Sequence, residues 1–365
     1  MQPGESQYAS HPPPRTSWWR RAWRAGRAAA SGSLVAAILI LVVAHVVGDR
    51  AMWLQFCLYT PLWAVALTAI GWDLLNLGKA LPLRFLLSML GLGLGVMSIG
   101  MMWAPARAPE GDSSQSGVTL VQWNMQWGGL AGPASLEKVV STVLAHDPQI
   151  VCLTEVPPQS YFGHYWKEQA GPGWHAGYSA GSEQYMSRMG VLSKSPVQRV
   201  GQWLLDHGEA ALFEVAIDDA PAKPFRILMV DIESEPSLPR SPSIEQAARI
   251  VEAHAVAGTP IDIVAGDFNT PARFLGFKTL ANAGERYERA SLWSGQWRAT
   301  WPARLGVPFR GAMREIRHTW RLSTFDIDHI WVRSGLDVAS ASIFTTDVVD
   351  HRGQVCQLRL PKREP

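Results

Sequence analysis

Five short stretches of this 365-residue chain end apolar runs on side chains able to do chemistry. VQWNM places Asn124 there, VCLTEV places Glu155, and IVAGDFNTP places Asp267 and Asn269. FDIDHIWV adds Asp328 and His329, and VVDHRGQV adds Asp350 and His351 just ahead of the last apolar run. Any one of them has an ordinary explanation, a turn cap or a solvent-facing carboxylate. Asn269 or Thr270, for example, suits the cap of a helix beginning at Pro271. The set suggests more, because strand ends of a sandwich cluster in space. A carboxylate there can serve as a general base, and a carboxylate behind an imidazole fixes its tautomer and favours its charged form. Carboxylates held together repel one another, and a bound divalent cation is the usual remedy. Oxygen donors without cysteine favour Mg2+ or Mn2+ over Zn2+.

The elements that must position these groups are short. VTLVQWNM, QIVCLTEV, GVLSKSPVQRV, ALFEVAI, FRILMVDI, IDIVAGDF, FDIDHIWVRS and GQVCQLRL read as strands. Residues 135–146 and 243–257 read as amphipathic helices. Many short strands and few helices predict an α/β sandwich at 118–361, with no internal repeat. A polar Pro/Gly/Ser linker at 105–117 precedes it. Cys57, Cys152 and Cys356 give no disulfide framework and read as small buried side chains. The net charge is +2, and acidic and basic residues are roughly balanced beyond 118. That balance argues against a long nucleic-acid track, which needs a basic stripe.

Three apolar stretches at about 31–48, 51–71 and 82–104 each approach the length of a bilayer crossing. Before them, residues 1–30 carry Arg15, Arg20, Arg21, Arg24 and Arg27 among Trp18, Trp19 and Trp23, the pattern of a cytoplasmic tail with interfacial aromatics. Lys79 and Arg84 place the loop after the second stretch on the same side. The expectation is a multi-pass inner-membrane protein with three transmembrane helices and an extracytoplasmic domain. The competing readings are a cleaved signal peptide, for which no small-residue site follows the first stretch, and a buried helical bundle.

WNMQWGG, LTEV, GDFNTP, TWPA, DIDHIWV and VDHRGQV occur in the order and rough spacing of the endonuclease/exonuclease/phosphatase superfamily. Across 118–360 the chain resembles its membrane-anchored bacterial members. The resemblance implies two packed β-sheets with helices on both outer faces, a four-layer arrangement, and metal-dependent hydrolysis of a phosphoester. It implies that Glu155 holds Mg2+ or Mn2+, that Asp350 supports the metal from the other side, and that Asn124 lies beside it. It further implies that Asp267 orients or deprotonates the attacking water, that Asn269 positions that water or the phosphate, and that His351, oriented by Asp328, contacts the phosphate. The chemistry asks for these types in its own right, since an anionic phosphodiester repels nucleophiles and a divalent ion neutralises the charge developing on phosphoryl oxygens. The expected partners are a phosphorylated substrate (nucleic acid, nucleotide or lipid headgroup) and the lipid bilayer, with no protein partner.

Two positions depart from the superfamily pattern. Asp231 ends RILMVDIES where a phosphate-binding His is common, and Gln126 stands where many members carry an acid. They keep a second class open, a catalytically inactive ligand-binding domain of the same fold. His329, next to Asp328 in a strand, should point to the opposite face and serve structure. Trp301 should pack near the site, with stacking on substrate the weaker alternative, and Arg188 and Lys194 read by default as solvated surface, the alternative being that they face an anionic substrate.

Overall fold

Pro61 decides the course of the N-terminal third. The apolar stretches fold as four helices, α1 (Trp18–Val47), α2 (Met52–Leu58), α3 (Leu62–Leu75) and α4 (Leu86–Met102). A proline has no amide proton and disfavours a helical conformation in the residue before it, so the expected span at 51–71 breaks at the turn between α2 and α3. The pieces are 7 and 14 residues long. The 17 residues of α4 rise roughly 26 Å, short of a hydrocarbon core of about 30 Å. Among the described residues only one helix, over Trp18–His45, is long and apolar enough to cross a membrane. The expectation of three transmembrane helices is therefore corrected to one candidate span among the described residues.

This computed structural model describes residues 18–47, 52–77, 85–103, 105–109, 117–129, 133–179, 187–217, 224–272, 274, 276–301 and 323–360. Arg15 in the expected basic tail, Lys79 and Arg84 in the expected loop, most of the 105–117 linker and the end of TWPA lie outside those residues. The chain divides into two units, Met1–Ile40 with Leu62–Gly95, and Leu41–Pro61 with Val96–Pro365.

Strands apolar on both faces must be covered on both faces, and the second unit is built that way. One sheet holds β1 (Gly117–Asn124), β2 (Ile150–Val156), β3 (His175–Tyr178), β4 (Ser187–Ser193), β11 (Asp337–Phe344) and β12 (Gly353–Arg359), in the order β11-β12-β1-β2-β4-β3. The other holds β5 (Val197–Leu205), β6 (Gly208–Val215), β7 (Phe225–Ile232), β8 (Ile263–Asp267), β9 (Tyr287–Arg289) and β10 (Asp328–Arg333), in the order β5-β6-β7-β8-β10-β9. Both are mixed, with β1 and β2 parallel in one and β7 and β8 parallel in the other.

Alternation along the strands assigns each side chain to a layer. Leu120, Cys152, Val191, Phe213, Met229, Ala265, Ile330 and Cys356 fill the space between the sheets. Their neighbours Val121, Trp123, Val151 and Leu153 point outward onto α5 (Pro133–Leu144) and α6 (Gln159–Ala170). On the far side Leu212, Leu228, Val230 and Val264 meet α7 (Ser241–Val256) and α8 (Phe277–Ala281). The result is the expected four layers. All three cysteines are free.

Local expectations failed where turn chemistry overrode apolar pattern. GVLSKSPVQRV is two strands in different sheets, β4 and β5, separated at Pro196. No helix starts at Pro271; Thr270 turns its hydroxyl back to donate to the Phe268 carbonyl at 2.8 Å, and the next helix begins only at Phe277.

Candidate active site

Gly266 brings the central carboxylate into place. Its φ is +144°, and a Cβ there would lie 1.9 Å from the Val230 carbonyl oxygen of β7. Only glycine lets β8 lie this close. Asp231, Asp267 and Asp328 then stand in register on the neighbouring strands β7, β8 and β10, spaced about 5 Å apart by strand pairing. All three are buried.

The first sheet answers with a facing row. Asn124 ends β1, and Glu155 ends β2 with a left-handed φ of +50°. Arg188 lies on β4 level with Glu155, between the pairs Thr154–Met189 and Val156–Ser187. His351 precedes β12. The rows join residue to residue. Asn124 Nδ2 donates to Asp267 Oδ2 at 2.9 Å and to Glu155 Oε1 at 3.1 Å. His351 Nδ1 pairs with Asp328 Oδ2 at 2.8 Å. Arg188 Nε donates to Asp231 Oδ2 at 2.6 Å.

Further contacts fix the members of the cluster. The Gln126 amide donates to Asn124 Oδ1 at 2.8 Å, so its contact with the site is through its backbone. The Asn269 amide donates to Asp267 Oδ1 at 2.8 Å, while Asn269 Nδ2 donates to the Ile232 carbonyl at 2.7 Å. Asn269 thus holds Asp267 and ties β8 to β7. Asp328 is held by Thr300, whose hydroxyl oxygen accepts from its backbone N–H at 3.1 Å, and by Gln354 Nε2, which donates to its carbonyl at 2.5 Å. Asp350 is half-buried and accepts from Trp301 Nε1 at 3.3 Å. Its other oxygen, Oδ1, is buried without a hydrogen-bond partner, 3.9 Å from His351 Nε2.

Burial and charge set the protonation of the cluster. Burial raises Asp267 well above the ordinary carboxylate range, and the Asp328 charge raises it further. Burial also raises Glu155, against its hydrogen bond from Asn124. For His351 burial works downward, but the charge and hydrogen bond of Asp328, together with the charges of Asp267 and Asp350, outweigh it, and the imidazole is pushed up to about 10. It is an imidazolium at neutral pH. Burial pushes Asp231 up to about 7, opposed by Arg188. One donor atom from each of Asp267, Asp328 and His351 falls within 4.8 Å of the others, but their geometry is that of a carboxylate-backed imidazolium beside a second carboxylate. Such an arrangement can take a proton at Asp267 and stabilise an anion at His351 Nε2, 4.0 Å away.

Asn124, Glu155, Asp267, Asp328, Asp350 and His351 therefore come together, while the Asn269 side chain is spent on the strand below. His329 points away: its Nε2 lies 3.0 Å from the Thr270 carbonyl, its ring packs on Phe268 and Phe277, and burial lowers its basicity. Lys194 pairs with the exposed Asp147 at 2.7 Å. Thr300 and Gln354 had no role in the reading of the sequence, and Arg188 was read there as surface by default. Their only signal was a polar side chain inside or beside an apolar strand. At the rim Trp301 stacks on Phe325, Tyr59 meets Phe325 edge-on, and the Tyr59 hydroxyl donates to the Asn269 carbonyl at 2.5 Å.

Residues 121–350 match the model of the Endonuclease/Exonuclease/phosphatase family. The fold resembles that of a mannosyl-6-phosphatase from Bacteroides thetaiotaomicron, with a TM-score of 0.50 and 14% identity over 66% of this chain and 99% of that one. A family protein from the same organism aligns with a TM-score of 0.49 and 14% identity, over 68% and 99% of the two chains. The catalytic domain of human Nocturnin, solved with bound sulfate, aligns at 0.45 and 17% identity, over 68% and 97%. No curated protein matches the chain. The matched segment runs from β1 to Asp350 and takes in most of both rows of polar residues; the chain belongs to the endonuclease/exonuclease/phosphatase family.

Proposed function

We propose that the protein is a membrane-anchored, divalent-metal-dependent phosphoesterase that hydrolyses a phosphodiester or phosphomonoester. The observation that carries this reading is the pairing of a buried carboxylate, Asp267, with an imidazolium 4.0 Å away that Asp328 keeps charged. Water activation needs a base whose proton affinity lies near the working pH, and burial moves Asp267 in that direction. The developing charge on a phosphoryl oxygen needs a fixed cation, and His351 supplies one without having to reorganise. Asn124 and the Asn269 amide hold the two oxygens of Asp267, so the base presents one orientation to water.

The donor set suits Mg2+ or Mn2+. Glu155 and Asp350 would hold the ion with Asn124 beside it, and the buried Oδ1 of Asp350, which has no hydrogen-bond partner, is an oxygen with room to coordinate a cation. Bound there, the ion would neutralise phosphoryl charge and assist the leaving oxygen. Anchoring is supported by α1: Trp18, Trp19 and Trp23 are exposed at its start among Arg20, Arg21, Arg24 and Arg27. With that end cytoplasmic, one span carries the domain to the extracytoplasmic side, as three would. The test is hydrolysis of bis(p-nitrophenyl) phosphate and p-nitrophenyl phosphate by the detergent-solubilised chain. We expect chelator to abolish turnover and Mg2+ or Mn2+ to restore it. Full turnover in excess chelator would remove the metal from the reading. A metal-loaded protein inert on every phosphoester tried would replace the enzyme with a binding domain.

A further inference from the structure

We propose that Arg188 is a substrate-binding residue, a second cation that receives a phosphoryl oxygen at the end of the cluster opposite His351, and that Asp231 is the positioning residue that aims it. This inference rests on the phosphoesterase reading and adds to it the group that contacts the substrate from the β4 side.

The placement follows from the two rows. Read across the first sheet they run His351, Asn124, Glu155, Arg188; across the second, Asp328, Asp267, Asp231. Each end closes with a cation from the first sheet on a buried carboxylate from the second: His351 on Asp328 at 2.8 Å, Arg188 on Asp231 at 2.6 Å. Between these ends lie only Asn124 and the acids Glu155 and Asp267, with Asp350 beside His351. The acids outnumber the two cations, so an anionic substrate is received favourably only by the divalent ion of the proposed function and by a cationic side chain with an edge left open.

The way Arg188 is held leaves it able to contribute. The buried carboxylate engages Nε, which fixes the plane of the guanidinium. The Nη1 atom lies 3.9 Å from the half-exposed Glu233, beyond hydrogen-bond reach, and neither Nη is hydrogen-bonded among the described residues. The side chain is 32% exposed, whereas that of Asp231 is 3% exposed. An arginine present only to neutralise Asp231 would be expected to turn its fork onto the carboxylate. Here one edge is anchored and the other is open, the geometry in which guanidinium binds phosphate oxygens in pairs.

The experiment separates substrate binding from charge neutralisation. Arg188→Met with Asp231→Asn removes both charges at once, so no buried charge is left uncompensated. Kinetics on bis(p-nitrophenyl) phosphate, competitive inhibition by inorganic phosphate and thermal melting are measured for the full chain. We expect a melting temperature close to wild type, KM and the phosphate inhibition constant raised about 10- to 100-fold, and kcat less affected. Unchanged KM and inhibition constant in a folded double variant would overturn the proposal. Should the double variant fail to fold, Arg188→Lys keeps the charge but loses the open edge; a KM raised about tenfold supports the proposal, and an unchanged KM overturns it. If the wild type hydrolyses nothing, the phosphoesterase reading fails separately. Calorimetric binding of inorganic phosphate then decides on Arg188: weaker binding by the variant supports its role, and equal binding, or none by wild type, removes it.

Discussion

Replacing Asp328 with asparagine should move the working pH range of the enzyme while leaving its shape intact. The side chain is buried, and its Oδ2 is the partner of His351 Nδ1 at 2.8 Å. Asparagine keeps the volume, the contact of its backbone N–H with Thr300 and that of its carbonyl with Gln354, because both are main-chain contacts. What disappears is the charge that overcomes burial. His351 stands at about 10 because Asp328, with help from Asp267 and Asp350, outweighs desolvation. With that carboxylate gone, only Asp267 and Asp350 still oppose burial, and the imidazole moves down towards its ordinary value of about 6.5. At pH 7.5 a group at about 10 is almost wholly protonated, while one at about 6.5 is protonated in roughly a tenth of molecules. Turnover at pH 7.5 should drop by up to about tenfold and recover in part near pH 5.5. The assay is kcat against pH for both forms at saturating Mg2+, with imidazole proton shifts read in parallel by NMR. Superimposable profiles would refute the claim that His351 acts as a cation held by Asp328. The sign for stability follows the same shift. The folded imidazole is raised above its unfolded value, so its contribution is full below about pH 6.5 and is lost as pH climbs towards 10.

Asp267→Asn keeps the shape but turns one of two accepting oxygens into a donor that faces a donor, and it cannot take a proton; kcat should fall about 100-fold or more in a variant that still folds, and near-normal turnover would place the base elsewhere. Gly266→Ala drives a methyl into the Val230 carbonyl at a φ of +144°, so unfolding free energy should fall by about 3 kcal/mol or more in denaturant titrations; a small loss would mean that β7 and β8 can separate freely. A reporter active only outside the cytoplasm, fused after Pro365, should be active, and activity of a cytoplasm-only reporter at the same place would reverse the orientation drawn from the N-terminal arginines.

The individual strand ends were legible in the sequence; their partners were not. Asp267, Asn124 and Glu155 each announced themselves by closing an apolar run. Nothing local says that Asp231 will meet Arg188, 43 residues earlier in the chain and in the other sheet. Asp231 therefore looked like an uncompensated anion, and Arg188 like a surface cation, until the topology joined them. Two misreadings had visible signals that a stronger one masked. Pro61 breaks the second apolar stretch, yet hydropathy over a bilayer-length window runs straight across it. Pro196 divides β4 from β5, yet the flanking residues alternate well enough to read as one strand. The short strands β3 and β9, of 4 and 3 residues, carry too little pattern of their own and form because an edge is there to pair with.

The pairing of β1 with β12 joins the two extremities of the domain, Gly117 opposite Arg359 and Gln122 opposite Gln354. A ribosome releases the first strand long before the last, so β1 waits with one edge open until the final residues emerge. His351 arrives only at that moment, in the segment that enters the last strand. Every partial chain consequently lacks both the closing strand and the imidazolium. On the proposed reading, the hydrolytic site is incomplete until β12 has paired with β1. Proteolytic loss of as few residues as the last strand would remove an interior strand of its sheet and release the segment that holds His351.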